Sequence, residues 1–132
     1  MANTNPKLLN PLTLAYMGDA VLDQHIRTYI VLKLQSKPKR LHQVAKQYVS
    51  AKSQAQTLEY LIANTWFTDE ELEIVRRGRN AKSYTKAKNT DIQTYKKSSG
   101  LEAVIGFLYL DTQEERLTAL LEAIVESVNE RE

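Results

Sequence analysis

The chain has 132 residues, 42% of them apolar and 26% charged, with four glycines, three prolines and no cysteine. That balance points to one soluble globular domain with its own core, and it excludes a disordered chain, a disulfide scaffold and thiolate chemistry. Net charge is only +2, but residues 33–52 carry +6 and residues 76–97 carry +7, so the rest of the chain nets −11. A basic zone set against acidic helices is what a polyanion binder would show, and scattered solvated charge is the plainer alternative. No apolar run approaches the ~20 residues of a membrane span. The N-terminal Met1-Ala-Asn-Thr-Asn-Pro-Lys7 lacks the apolar stretch of a secretion signal. A cytoplasmic protein with no membrane partner is expected.

Strand-like alternation is absent, so the chain reads as all-α. Asn10-Pro11 is a helix start, with Asn as cap and Pro in the first turn. Leu14, Met17, Val21, Leu22, Ile26, Tyr29 and Ile30 then recur at helical spacing, and this first helix should end near Leu34. Asp19 lies off that stripe, on the side of Ala15, Asp23 and Arg27. A second helix is expected over 41–49 and a third from Ser50 or Ala51 to Ala63, with Leu58, Leu61 and Ile62 on its apolar face.

Thr68-Asp-Glu-Glu71 is a capping box opening a helix that carries Leu72, Ile74 and Val75 and should stop at Gly78. Residues 79–89 are polar and basic, which suggests a mobile loop. Thr90 or Asp91 should cap the most apolar segment, Leu101-Glu-Ala-Val-Ile-Gly-Phe-Leu-Tyr-Leu110, expected to be the central helix. Thr112-Gln-Glu-Glu115 looks like a second capping box, starting a last helix with Leu117, Leu120, Leu121, Ile124 and Val128 inside.

Two acids stand beside helix glycines. Asp19 follows Gly18, and Glu102 precedes Gly106 by one turn. If the two helices cross at those glycines, the carboxylates face one pocket. At ~4 Å and an effective dielectric of ~20 they would repel by about 4 kcal/mol, which favours a divalent cation between them. Hard oxygen donors suit Mg²⁺ or Mn²⁺. From spacing alone, solvated helix surface remains the competing account.

Leu14-Ala-Tyr-Met-Gly-Asp-Ala-Val-Leu22 resembles the signature of the ribonuclease III catalytic domain. Leu41-His-Gln-Val-Ala-Lys-Gln-Tyr-Val-Ser50 is similar to that family's following helix, and Leu101-Glu-Ala-Val-Ile-Gly-Phe-Leu-Tyr-Leu-Asp111 to its second acidic motif. Arg76-Arg-Gly-Arg-Asn-Ala-Lys82, with Lys88-Asn-Thr-Asp91 and Gln93-Thr-Tyr95, looks closest to the bacterial Mini-III branch.

The resemblance implies an all-α, homodimeric endoribonuclease that cuts double-stranded RNA. Its cofactor would be Mg²⁺, with Mn²⁺ able to substitute, and its products 5′-phosphate and 3′-hydroxyl ends. The substrate implied is precursor 23S ribosomal RNA, and a ribosomal protein is a possible further partner. Residues 1–132 would be one catalytic domain with no separate double-stranded-RNA-binding domain. Asp19 and Glu102 match the family's essential acids, and Tyr16 the aromatic it places across the dimer interface, against the alternative of a core aromatic.

Three departures limit the match. Ala15, Ser99 and Pro38 stand where the larger enzymes carry further acids. The site is therefore expected to hold one metal weakly. Those losses also motivate a rival reading, a non-catalytic RNA-binding or ribosome-associated protein on the same scaffold.

Arg76, Arg77, Arg79, Lys82, Lys86 and Lys88 are the expected phosphate contacts, since duplex RNA is recognised through shape, phosphates and 2′-hydroxyls. Lys46 and Lys52 would extend that surface. Asp23 should pair with Arg27. His25 and His42 are too isolated for a metal site, and Ser99 reads as a helix-surface serine.

Overall fold

Asn10 accepts the Leu12 N–H on its side-chain oxygen at 2.8 Å, and Pro11 takes the first helical position, where its missing N–H costs nothing. The computed structural model, which describes residues 4–81 and 91–131, therefore starts its longest helix where the sequence places it. After a single 3-10 turn at Pro6–Leu8, the elements are α1 (Pro11–Leu34), α2 (Pro38–Val49), α3 (Ala51–Ala63), α4 (Asp69–Asn80), α5 (Ile92–Leu110) and α6 (Glu114–Arg131). Among the described residues there is no strand, and no helix is long and apolar enough to cross a membrane.

α5 is the hub, with every residue from Leu101 to Leu108 except Glu102 buried. α1, α3 and α4 pack around it. α1 contributes Leu14, Val21, Leu22, Ile26 and Ile30, and α6 closes the core with Leu120, Leu121, Ile124 and Val128. Ile62, expected on the apolar face of α3, is exposed instead, as is Leu72 of α4. Longer-range polar ties fix the remaining angles. Arg131 donates to Ser127 Oγ (2.9 Å), Ser53 Oγ (3.1 Å) and Thr57 Oγ1 (3.2 Å), fastening α6 to α3. Tyr48 donates to Asn129, which in turn donates to Tyr29, linking α2, α6 and α1.

Three boundaries differ from the sequence reading. α2 begins at Pro38, three residues earlier than expected, because proline suits the first turn and Lys37 is extended before it. α4 does not stop at Gly78 but continues to Asn80. That glycine serves a helix crossing: a Cβ there would lie 2.8 Å from Ala103 Cβ and 2.9 Å from Gly100 Cα. Thr112 is not a cap for α6. It adopts φ 54° after α5, where the Gln113 N–H reaches Leu108 O (3.0 Å) and the Thr112 N–H reaches Tyr109 O (3.2 Å). This left-handed ending closes α5, and the Thr112 hydroxyl turns to the Asp111 carbonyl instead. The capping box at Thr68 and Glu71 forms as expected, and Asp91 caps α5.

Candidate active site

Gly18 on α1 and Gly106 on α5 face each other at the point where the two helices cross. A Cβ on Gly18 would overlap the Glu102 carbonyl oxygen, and one on Gly106 would overlap the Leu14 carbonyl oxygen. Only glycine permits this approach, and the approach is what brings the next residue, Asp19, beside Glu102. Asp19 stands at the exposed rim, whereas Glu102 is half-buried. Burial raises the Glu102 carboxyl first, and the Asp19 charge and a hydrogen bond to Asp19 raise it further. Together they push it up to about 8, against an opposing hydrogen bond from Gln54.

Gln54 is the buried neighbour of Glu102 that sequence reasoning missed. It is 2% exposed in α3, and its side-chain nitrogen donates to the Val49 carbonyl (3.0 Å) and to Glu102 Oε2 (3.2 Å). One signal existed: Gln54 shares the buried face of Leu58 and Leu61, a polar residue where the helical pattern demands an apolar one.

The three positions that depart from the larger enzymes supply no acid. Ala15 is buried at 7% exposure, beneath the crossing. Ser99 is 6% exposed rather than on the surface, because Gly78 of α4 packs over its carbonyl. Pro38 starts α2. Among the described residues no cluster of three or more His, Asp or Glu is poised to hold a metal. Two carboxylates pressed together at an all-oxygen site still fit a hard divalent cation whose remaining ligands are water.

The basic residues are less uniform than their sequence suggests. Arg76 pairs with Glu73 on the exposed face of α4, with Nε to Oε2 at 3.0 Å. Arg77 donates to the Lys7 carbonyl (2.7 Å) and the Leu9 carbonyl (2.9 Å), so it ties the N-terminal turn to α4 rather than standing free. Arg79 is half-buried, its stem against Gly100 and its surroundings shared with Ile62, Leu72 and Asn80. Lys82, Lys86 and Lys88, and most of the expected 79–89 loop, lie outside the described residues; Arg79 and Asn80 belong to α4.

Asp23 pairs with Arg27 at 2.8 Å as its spacing requires. Beside that pair, a hollow between α1 and α2 takes in His42 and Lys46. Lys52 is exposed near Arg131. Tyr16 is 83% exposed, which removes the core alternative for this aromatic.

Comparison with known proteins assigns the family. A family model described as the Ribonuclease III domain matches residues 12–113. The chain is 76% identical over 125 residues to a Mini-ribonuclease 3 of Staphylococcus aureus, covering 95% of this chain and 93% of that one. It is 46% identical over 124 residues to a Mini-ribonuclease 3 of Enterococcus faecalis, covering 94% of each. Its fold is similar to an X-ray crystal structure of a Fusobacterium nucleatum protein, with a TM-score of 0.80 at 27% identity over 94% of this chain and 98% of that one. With the domain matched from the first acidic helix through the second, the chain belongs to the ribonuclease III domain family, in its Mini-ribonuclease 3 branch, and is an endoribonuclease.

Proposed function

We propose that this endoribonuclease cuts double-stranded RNA with the help of Mg²⁺ held by Asp19 and Glu102, and that its duplex lies in a precursor of 23S ribosomal RNA. Ribonuclease III-family nucleases are generally dependent on divalent metal. The observation that carries the reading is the meeting of two carboxylates where α1 crosses α5, one of them half-buried and raised to about 8 by burial and its neighbour. A fold that brings like charges together without an internal cation is built to receive one.

A divalent cation in such a site supplies Lewis-acid charge beside the scissile phosphate and lowers the pKa of water. The chain does the rest. Glu102 is held by its helix and by Gln54, so its oxygens are aimed before substrate arrives. Asp19, at the rim, faces the side from which RNA approaches. With Ala15 and Ser99 contributing no charge, water must complete the shell, and a millimolar Mg²⁺ requirement follows.

Arg76, Arg79, Lys82, Lys86 and Lys88 would hold the phosphates flanking the cut. The exposed Tyr16 ring supports a homodimer in which it meets the partner subunit, giving two sites that cut both strands. The enzyme would work in the cytoplasm.

With Mg²⁺, the protein should cut a duplex built from paired 23S precursor termini, leave 5′-phosphates, and spare either strand alone. Binding without cleavage would instead support the non-catalytic RNA-binding reading, and absence of binding would sink both.

A further inference from the structure

Gln54 buries a second polar atom beside the nitrogen that meets Glu102. The Gln54 side-chain nitrogen donates to the Val49 carbonyl and to Glu102 Oε2. The Val49 carbonyl can only accept, so the nitrogen must face it, and that settles which way round the carboxamide sits. Its oxygen, Oε1, is then left buried with no hydrogen-bond partner among the described residues. An unpaired buried acceptor is destabilising, and an apolar side chain of the same length would fill the space without that cost. Oε1 belongs to the same small planar group whose nitrogen touches Glu102, so it lies close to that carboxylate.

We infer that Gln54 is a positioning residue of the metal site: its nitrogen aims Glu102, and its unpartnered oxygen accepts a hydrogen bond from a water in the cation's shell. The inference rests on the reading of Asp19 and Glu102 as metal ligands. It also gives meaning to the neutral side chain. A third carboxylate packed here would add to the repulsion between Asp19 and Glu102, whereas an amide orients one acid and offers an acceptor without adding charge. Where Ala15 and Ser99 leave the cation few charged ligands, orientation of those that remain matters more. Groups of this kind, one bond removed from the metal, typically alter its affinity by 10–100-fold when replaced.

The test is Mn²⁺ binding by the full chain, read from loss of the free-ion paramagnetic resonance signal, for wild type, Asp19→Asn and Gln54→Met. Methionine keeps the length of the side chain and lacks both polar functions. Gln54→Met should bind Mn²⁺ about 10–100-fold more weakly while keeping its helical circular dichroism, and Asp19→Asn should lose binding. Equal affinity in wild type and Gln54→Met, with Asp19→Asn weakened, overturns the inference alone. Affinity indifferent to Asp19→Asn overturns the metal-site reading beneath it. In wild type, whatever the variant's folding, the Gln54 side-chain amide NMR signals should move as Mg²⁺ is added, and signals that stay in place overturn the inference.

Discussion

Two glutamates are drawn out of water in this fold and are treated in opposite ways. Glu71 is 2% exposed, and Arg116 from α6 clasps it with two hydrogen bonds, Nε to Oε2 at 2.8 Å and Nη2 to Oε1 at 2.6 Å. The same guanidinium lies 4.1 Å from the Trp66 ring, and the Thr68 N–H adds a bond at 3.0 Å. Burial alone would raise the Glu71 carboxyl, but the bonds from Arg116 and Thr68 outweigh it and hold the group below its ordinary value. Among the described residues, no cation pairs with Glu102. Burial and Asp19 both push it up, and a hydrogen bond from Gln54 opposes them. A carboxylate balanced internally is a fastening, whereas one left beside a second acid is, on the proposed reading, a place for a cation from solution.

This contrast can be broken by mutation, beginning with the fastening. Arg116→Ala leaves Glu71 buried and unpaired, and should cost about 2–4 kcal/mol, toward the low end for such losses because Arg116 is partly exposed. Chemical denaturation measures it, and activity per folded molecule should be unchanged. Glu102→Gln should go the other way. In chelator near pH 9 it removes a like-charge contact and should raise stability by about 1 kcal/mol, the usual trade between stability and a working site. A loss of stability there would mean that Glu102 is a fastening too.

The pH dependence separates the two groups without mutation. Glu71 has a depressed folded value, so its contribution is present above its ordinary 4.5 and lost as pH falls through the lower folded value. Glu102 is raised, so its contribution is present below 4.5 and lost as pH climbs toward about 8. Metal-free protein should therefore be most stable in mild acid. Excess Mg²⁺, binding only the folded state, should offset the alkaline-side loss. Melting temperatures across pH, with chelator and with Mg²⁺, check both slopes.

Smaller effects belong to the surface. Arg79→Ala with Lys82→Ala should weaken RNA binding and flatten its salt dependence by about 0.7–0.9 per lost phosphate contact, leaving the fold intact. An unchanged salt slope would remove these residues from the interface. Asp23→Asn, which breaks only the half-exposed pair with Arg27, should stay within about 0.5 kcal/mol of wild type.

What could be read in the chain was local or carried by a shared motif. Asn10-Pro11, the box at Thr68 and Glu71, and Asp91 are helix starts decided by neighbouring residues, and all three form. The crossing at Gly18 and Gly106 was legible because each glycine sits one turn or less from an acid. What escaped depended on partners far along the chain. Arg116 lies 45 residues from Glu71, and no spacing rule joins them. Gly78 looked like a stop because its crossing partner, α5, begins only after residues 81–91. Gln54 meets Glu102 across 48 residues of chain, a contact no local spacing shows. Ser99 reads as surface for the same reason: α4 covers it.

We propose that Asp19 and Glu102 act together on RNA rather than stabilise the fold. Cleavage and binding of one duplex RNA in Mg²⁺, measured side by side for wild type, Asp19→Asn and Glu102→Gln, test it most directly. Both variants should lose about 10²–10³-fold or more in cleavage while binding the duplex as wild type does. Cleavage that survives in either variant would contradict the claim.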